Sequence, residues 1–120
     1  MLKENILLDK SLLFAARIVK LNRYLVKTHS ESVISKQIVR SGTSIGANIN
    51  EANYGSSRAD FIAKMQIAQK ETAETEYWIR LLKLSEYIDD QEYTILLKDC
   101  LDIKNLLTST IKTAKANRVT

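Results

Sequence analysis

Three glutamates (Glu51, Glu71 and Glu74), one cysteine (Cys100) and one histidine (His29) are the side chains in this 120-residue sequence best suited to chemistry. Carboxylates that share helices can hold a divalent metal. Di-iron helical bundles, however, add a histidine three residues after a glutamate on two of their helices. No Glu-x-x-His occurs here, and His29 falls in a polar break. The glutamates read more simply as solvated or ion-paired groups, because carboxylates normally stay exposed or partnered. Cys100 lies on an apolar stripe and reads as a small core residue rather than a nucleophile. The glycines Gly42 and Gly46 sit inside a helical pattern, with no preceding strand of the kind a phosphate-binding loop follows. No catalytic residue, metal, cofactor or small-molecule substrate is therefore expected, and the chain is read as a non-enzyme.

The most unusual polar content lies in SGTSIGANINEA, residues 41–52, where Ile45 and Ile49 are the only large apolar residues. On a helix Arg40, Ser44, Asn48 and Glu51 fall along one side. The spacing lets Arg40 reach Ser44, and lets Asn48 reach Ser44 or Glu51. Such a set could contact a ligand or RNA. The favoured reading is a hydrogen-bonded polar layer that fixes register between helices or subunits.

The elements that carry these residues are helices. The chain has no proline and three glycines, too few turn residues for an all-β domain. Four periodic segments are separated by three short polar breaks. The first runs from about Asp9 to Thr28, with a core stripe of Phe14, Ile18, Leu21 and Leu25. A second apolar stripe on it, Leu12, Ala16, Val19 and Val26, predicts a further partner. Lys10, Arg17, Lys20 and Lys27 share a third face. The second helix runs from about Ser32 to Ala52, with Ile34, Ile38, Ile45 and Ile49 inward. Gly42 and Gly46 lie nearly opposite, where another backbone could pack closely, and Gly55 is a candidate C-terminal cap.

The third helix runs from about Arg58 to Tyr87, with Ser57 and Asp60 forming its N-terminal cap. Its core stripe is Phe61, Met65, Ala68, Thr72, Ile79 and Leu82. Tyr77, Trp78, Leu81 and Leu84 add apolar surface on other faces, which hints at association. The fourth runs from about Asp90 to Ala116 after an Asp89–Glu92 cap, with Tyr93, Leu96, Leu97, Cys100, Leu107 and Ile111 as its stripe. Short connections predict an all-α, antiparallel, up-down-up-down bundle in one domain spanning residues 1–120.

Net charge is +4 and uneven. Residues 1–58 hold nine Lys/Arg against four Asp/Glu, residues 59–102 five against ten, and residues 103–120 four against none. Oppositely charged helices can pair within a bundle, and a basic surface can bind nucleic acid. A single cysteine fits a reducing cytoplasm. The start of the chain lacks a signal-peptide pattern, and no apolar run approaches a membrane span.

SGTSIGANINEA, together with SRADFIAKMQIAQKETAETEYWIRLL at 57–82, resembles the bacterial four helix bundle protein family. That family is related to the 23S rRNA intervening-sequence proteins, encoded within insertions in ribosomal RNA genes. Arg40, Ser41, Ser44, Ile45, Ala47, Asn48, Ile49 and Glu51 match its best-marked helix. Phe61, Lys70, Glu71, Glu74, Tyr77 and Trp78 match the next. Ala52 stands where many relatives have glycine, a departure that bears on how the helix ends. The resemblance implies a left-handed bundle and a homopentamer shaped as a tapered barrel. It implies no activity, although similar accessory proteins of diversity-generating retroelements are thought to bind nucleic acid and a reverse transcriptase.

Two functions are carried forward. One is a homo-oligomer that binds nucleic acid, RNA before DNA, through Lys10, Arg17, Lys20, Lys27, Lys112, Lys115 and Arg118 as phosphate counter-charges. The other is a protein-interaction scaffold that presents Gly42, Gly46, Tyr77 and Trp78 to another subunit or partner.

Overall fold

The computed structural model describes residues 2–117, with side chains from Ile6 onward. Four helices follow one another: α1 (Leu2–His29), α2 (Val33–Ala52), α3 (Arg58–Leu84) and α4 (Asp90–Asn117). Among the described residues there is no strand. The first helix starts a full two turns earlier than its apolar stripe suggested, because Leu7 continues that stripe and is fully buried.

Each helix packs on its sequence neighbours, and α1 closes more sparsely onto α4. The backbones of the diagonal pairs α1–α3 and α2–α4 do not approach closely. The result is an elongated bundle of 52 × 22 × 20 Å. Along the α1–α2 seam the numbering runs in opposite senses. Ser11 meets Gly46, Ile18 meets Gly42, and the Asn22 amide donates to the Ser35 carbonyl.

The core consists of the expected stripes with a few changes. Phe14, Ile18, Leu21, Leu25, Ile38, Ile45, Ile49, Met65, Ala68, Ile79, Leu82, Leu96, Cys100, Leu107 and Ile111 are all buried. Ile34, Phe61, Tyr93 and Leu97 only flank it, while Ile62 and Ile103 join it. Both glycines of the second helix face α1 of the same chain. A methyl at Gly42 would lie 3.0 Å from Ile18, and one at Gly46 would lie 3.1 Å from the Ser11 hydroxyl. This corrects the expectation that they serve another subunit. Their partner is α1, which can approach closely because no Cβ intervenes.

The connections use some devices that the sequence suggested and some that it did not. Glu31, not the N-cap Ser32, caps α2. Its buried carboxylate accepts from the N–H groups of Val33, Ile34 and Ser35 at 3.0, 2.8 and 2.7 Å. Burial opposes its ionisation, yet these backbone donors hold its pKa below the ordinary carboxylate value. Ser30 takes a left-handed φ of 53°, which lets the Glu31 N–H close back on the Leu25 carbonyl. Gly55 is not a left-handed cap, since α2 ends through Asn53 in the right-handed region. Ala52 is the buried last residue of α2, a place where glycine is not required. The third helix stops at Leu84 rather than Tyr87 because Glu86 turns to a φ of 65° and Tyr87 bonds back to the Leu82 carbonyl. The Ser57 and Asp89 caps form as expected, accepting from the Asp60 and Glu92 N–H groups.

Candidate nucleic-acid interface

Three surfaces carry the candidate residues: the α2–α3 seam, the outer face of α1 and the groove between α1 and α4.

Arg40, Ser44, Asn48 and Glu51 do share one side of α2, and Asn48 reaches Ser44 as its spacing suggested, but Arg40 does not. Arg40 reaches across to α3, where its guanidinium donates to Glu74 and pairs with Glu71 at 3.5 Å. Glu51 pairs across the same seam with Lys64 at 2.9 Å. Asn48 donates to the Ser44 backbone carbonyl, a contact within its own helix. The seam is a row of inter-helix ion pairs at the surface rather than a buried layer, because charged ends keep water and reach the nearest opposite charge. Hydrogen bonding from Arg40 and from the Trp78 indole lowers the Glu74 pKa. The buried polar contact is elsewhere: the Ser41 and Thr75 hydroxyls share a 2.8 Å hydrogen bond between α2 and α3.

These pairings also account for the carboxylates considered as metal ligands. Glu51, Glu71 and Glu74 each hold a basic partner. Among the described residues no group of three or more His, Cys, Asp or Glu is placed to bind a metal. Cys100 is fully buried with its thiol towards the Thr72 carbonyl, and burial pushes its pKa up to about 12. Such a thiol does not ionise at neutral pH and makes a poor nucleophile.

Of the basic candidates, Lys10, Lys20, Lys27, Lys112 and Lys115 are exposed, and among the described residues no ion pair engages them. Arg17 differs. Its guanidinium lies 3.7 Å from Asp99 of α4, so part of its charge is already answered. Arg118 lies outside the described residues. The structure adds Arg23, an exposed cation that completes a Lys20–Arg23–Lys27 patch along the outer face of α1. Its i, i+3, i+7 spacing was present in the sequence but was not singled out.

The sparse α1–α4 contact leaves an open groove. One stretch, of about 460 Å³, is lined by Lys10, Leu13, Arg17 and Lys20 on one side and by Asp99 and Asp102 on the other. A second, of about 430 Å³, continues past Arg17 and Lys20 to Tyr24, Asp89 and Glu92. The cations facing this groove thus look onto carboxylates. Lys20 sits at the lip of both stretches, while Arg23 and Lys27 line neither and are freer to meet an external anion.

Tyr77 is 60% exposed on α3. Trp78, paired with it in the sequence reading as a partner surface, is half-buried against the core, and its indole N–H donates to Glu74 at 3.1 Å. The open apolar residue beside Tyr77 is Leu84, at 81%.

An all-α chain of four packed helices with polar seams and a basic helix face defines a class of small helical-bundle proteins. The family model described as 23S rRNA-intervening sequence protein matches residues 3–109, and the chain belongs to that family. Four chains of solved structures match it. One is a crystal structure of a protein of unknown function from the S23 ribosomal protein family of Bacteroides thetaiotaomicron VPI-5482. It is 55% identical, and the match covers 92% of this chain and 98% of that one with a TM-score of 0.90. No curated protein matches the chain. Among the described residues no helix is long and apolar enough to cross a membrane.

Proposed function

We propose that this protein is a non-enzymatic homo-oligomer that binds RNA through the outer face of α1. The observation that carries this reading is the exposed Lys20–Arg23–Lys27 patch, in which no cation forms an ion pair among the described residues. Lys10, Lys112 and Lys115 extend the positive surface. RNA is preferred to DNA because the family is described by an rRNA intervening sequence. Contacts of this kind meet phosphates and read no bases, so affinity falls steeply with salt.

Self-association is supported by two open apolar stripes. Leu12, Val19 and Val26 lie a heptad apart on α1, with Leu12 66% exposed. Ala59, Ala63, Ala73, Tyr77 and Leu84 share the outer face of α3. These two helices sit at diagonal corners of the bundle. Unlike faces on opposite sides favour head-to-tail contacts, which close into rings. The proposed assembly is a ring of antiparallel, left-handed bundles, with five subunits as the family resemblance implies. Repeating the α1 patch around such a ring multiplies weak phosphate contacts.

The test is fluorescence anisotropy of a labelled structured RNA at low and moderate salt. Wild-type protein is expected to bind with a steep salt dependence. Lys20→Glu with Lys27→Glu is expected to reduce affinity by at least about tenfold while helicity and oligomeric mass stay unchanged. Equal binding by wild type and variant removes the α1 patch from the reading. The second reading, a scaffold for another protein, is favoured by the same α3 stripe. It predicts binding that depends weakly on salt and is lost on Tyr77→Ala.

A further inference from the structure

We propose that the end of the bundle formed by the α2–α3 connection and the last turns of α4 is a stacking site for single-stranded RNA. In it Tyr54 is the base platform, and Arg58, Lys112 and Lys115 are the phosphate contacts. The proposal rests on the RNA reading above but uses a different surface from the α1 patch.

Tyr54 is the most exposed large apolar or aromatic side chain among the described residues, at 83%. An aromatic ring left in water on a short connection gains nothing for the fold. Its own backbone is nevertheless fixed, with the Tyr54 N–H donating to the Glu51 carbonyl and the Gly55 N–H to the Ala52 carbonyl. The connection is pressed onto the first turn of α3. A methyl on Gly55 would lie 3.3 Å from the Asp60 carboxylate and 3.4 Å from the Phe61 backbone nitrogen. The Tyr54 backbone is thereby fixed four residues ahead of α3, whose first residue, Arg58, is exposed and, among the described residues, without an ion pair.

The register of α3 against α4 brings the other two cations to the same end. Glu76 pairs with Lys104, the Gln69 amide donates to the Thr108 hydroxyl, and the Cys100 thiol meets the Thr72 carbonyl. As numbers fall along α3 they rise along α4, so Lys112 and Lys115 continue towards the first turns of α3. Both are exposed and, among the described residues, without ion partners. Two carboxylates at this end already have partners: Glu51 holds Lys64, and Asp60 accepts from the Ser56 N–H. One open aromatic ring at the end of the bundle that also carries these three cations fits a nucleobase with its neighbouring phosphates.

The experiment titrates a fluorescein-labelled oligouridine of about ten nucleotides with the full-length protein, in parallel with the structured RNA. Tyr54→Ala is expected to weaken oligouridine binding about tenfold without changing the salt slope, whereas Tyr54→Phe, which keeps the ring, binds as wild type. Iodouridine in the oligonucleotide is expected to cross-link to Tyr54 on irradiation, and mass spectrometry locates the adduct. This second readout holds even if the alanine variant alters assembly. Wild-type affinity in Tyr54→Ala, or an adduct confined to other residues, overturns the stacking site while leaving the α1 patch intact. Failure of the wild type to bind either RNA overturns both readings.

Discussion

At the scale of single residues, the side chain that decides most about local structure is Glu31. An acidic residue just ahead of a helix complements the helix dipole, and this one also satisfies three N–H groups that would otherwise lack partners. Its folded pKa is lowered, so its contribution is complete above the ordinary carboxylate pKa and is lost as pH falls through the lowered folded value. Glu31→Ala is expected to destabilise the protein by about 1 kcal/mol near neutral pH, the usual value of a helix cap. Glu31→Gln is expected to flatten the acid side of the stability profile. Urea unfolding followed by circular dichroism across pH measures both effects, and an unchanged acid limb in Glu31→Gln would assign the loss to other carboxylates. Glu74 and Glu76 titrate in the same sense, because Arg40 and Arg80 respectively stabilise their ionised forms.

At the scale of helices, the α1–α2 seam shows how two glycines four residues apart can have unequal roles. An alanine methyl at Gly42 meets both γ carbons of Ile18, a buried β-branched residue with little rotamer freedom in a helix. Gly42→Ala is expected to destabilise by about 1–3 kcal/mol through overpacking, outweighing its gain in helix propensity. At Gly46 the nearest atom is the Ser11 hydroxyl oxygen, a single polar atom that donates to the Leu8 carbonyl and can give way by loosening that bond. Gly46→Ala is expected to fall within about 1 kcal/mol of wild type, as propensity offsets the tighter contact. Thermal melts of the two variants make the comparison. Equal melting temperatures would mean that α1 shifts freely against α2.

At the scale of the whole molecule, the bundle has one open seam and two unpartnered apolar faces. The α1–α4 groove keeps cations and carboxylates on facing lips, so the α1 patch begins only where the side chains turn outward. The apolar faces on α1 and α3 predict that Leu84→Glu or Leu12→Glu breaks the assembly, while helicity survives because neither residue is in the core. Light scattering after gel filtration is expected to give a multiple of the 13.7 kDa subunit mass for wild type and the subunit mass for the variants. Wild-type protein running at the subunit mass would remove self-association from the reading.

Much of this architecture was legible in residue order. The absence of proline, the 3.6-residue stripes and the short polar breaks determine four helices, and nearly every stripe residue is buried as its spacing required. The family resemblance was carried by residues 40–51 and 57–82. Hydrophobic periodicity is a local property, so it can be read one helix at a time. The partners of the polar residues were decided by tertiary structure alone. Spacing within α2 pointed Arg40 at Ser44, but the nearest opposite charge is on α3, and Coulomb attraction outweighs a weak contact along the helix. The same holds for Arg17, whose place in a basic stripe gave no sign of Asp99, which lies 82 residues further along the chain. Helix ends followed suit, because a left-handed turn at Ser30 or Glu86 depends on what the next helix packs against. The sequence by itself determined which residues are buried; which charges are already answered, and so which remain for a partner, depended on how the helices pack together.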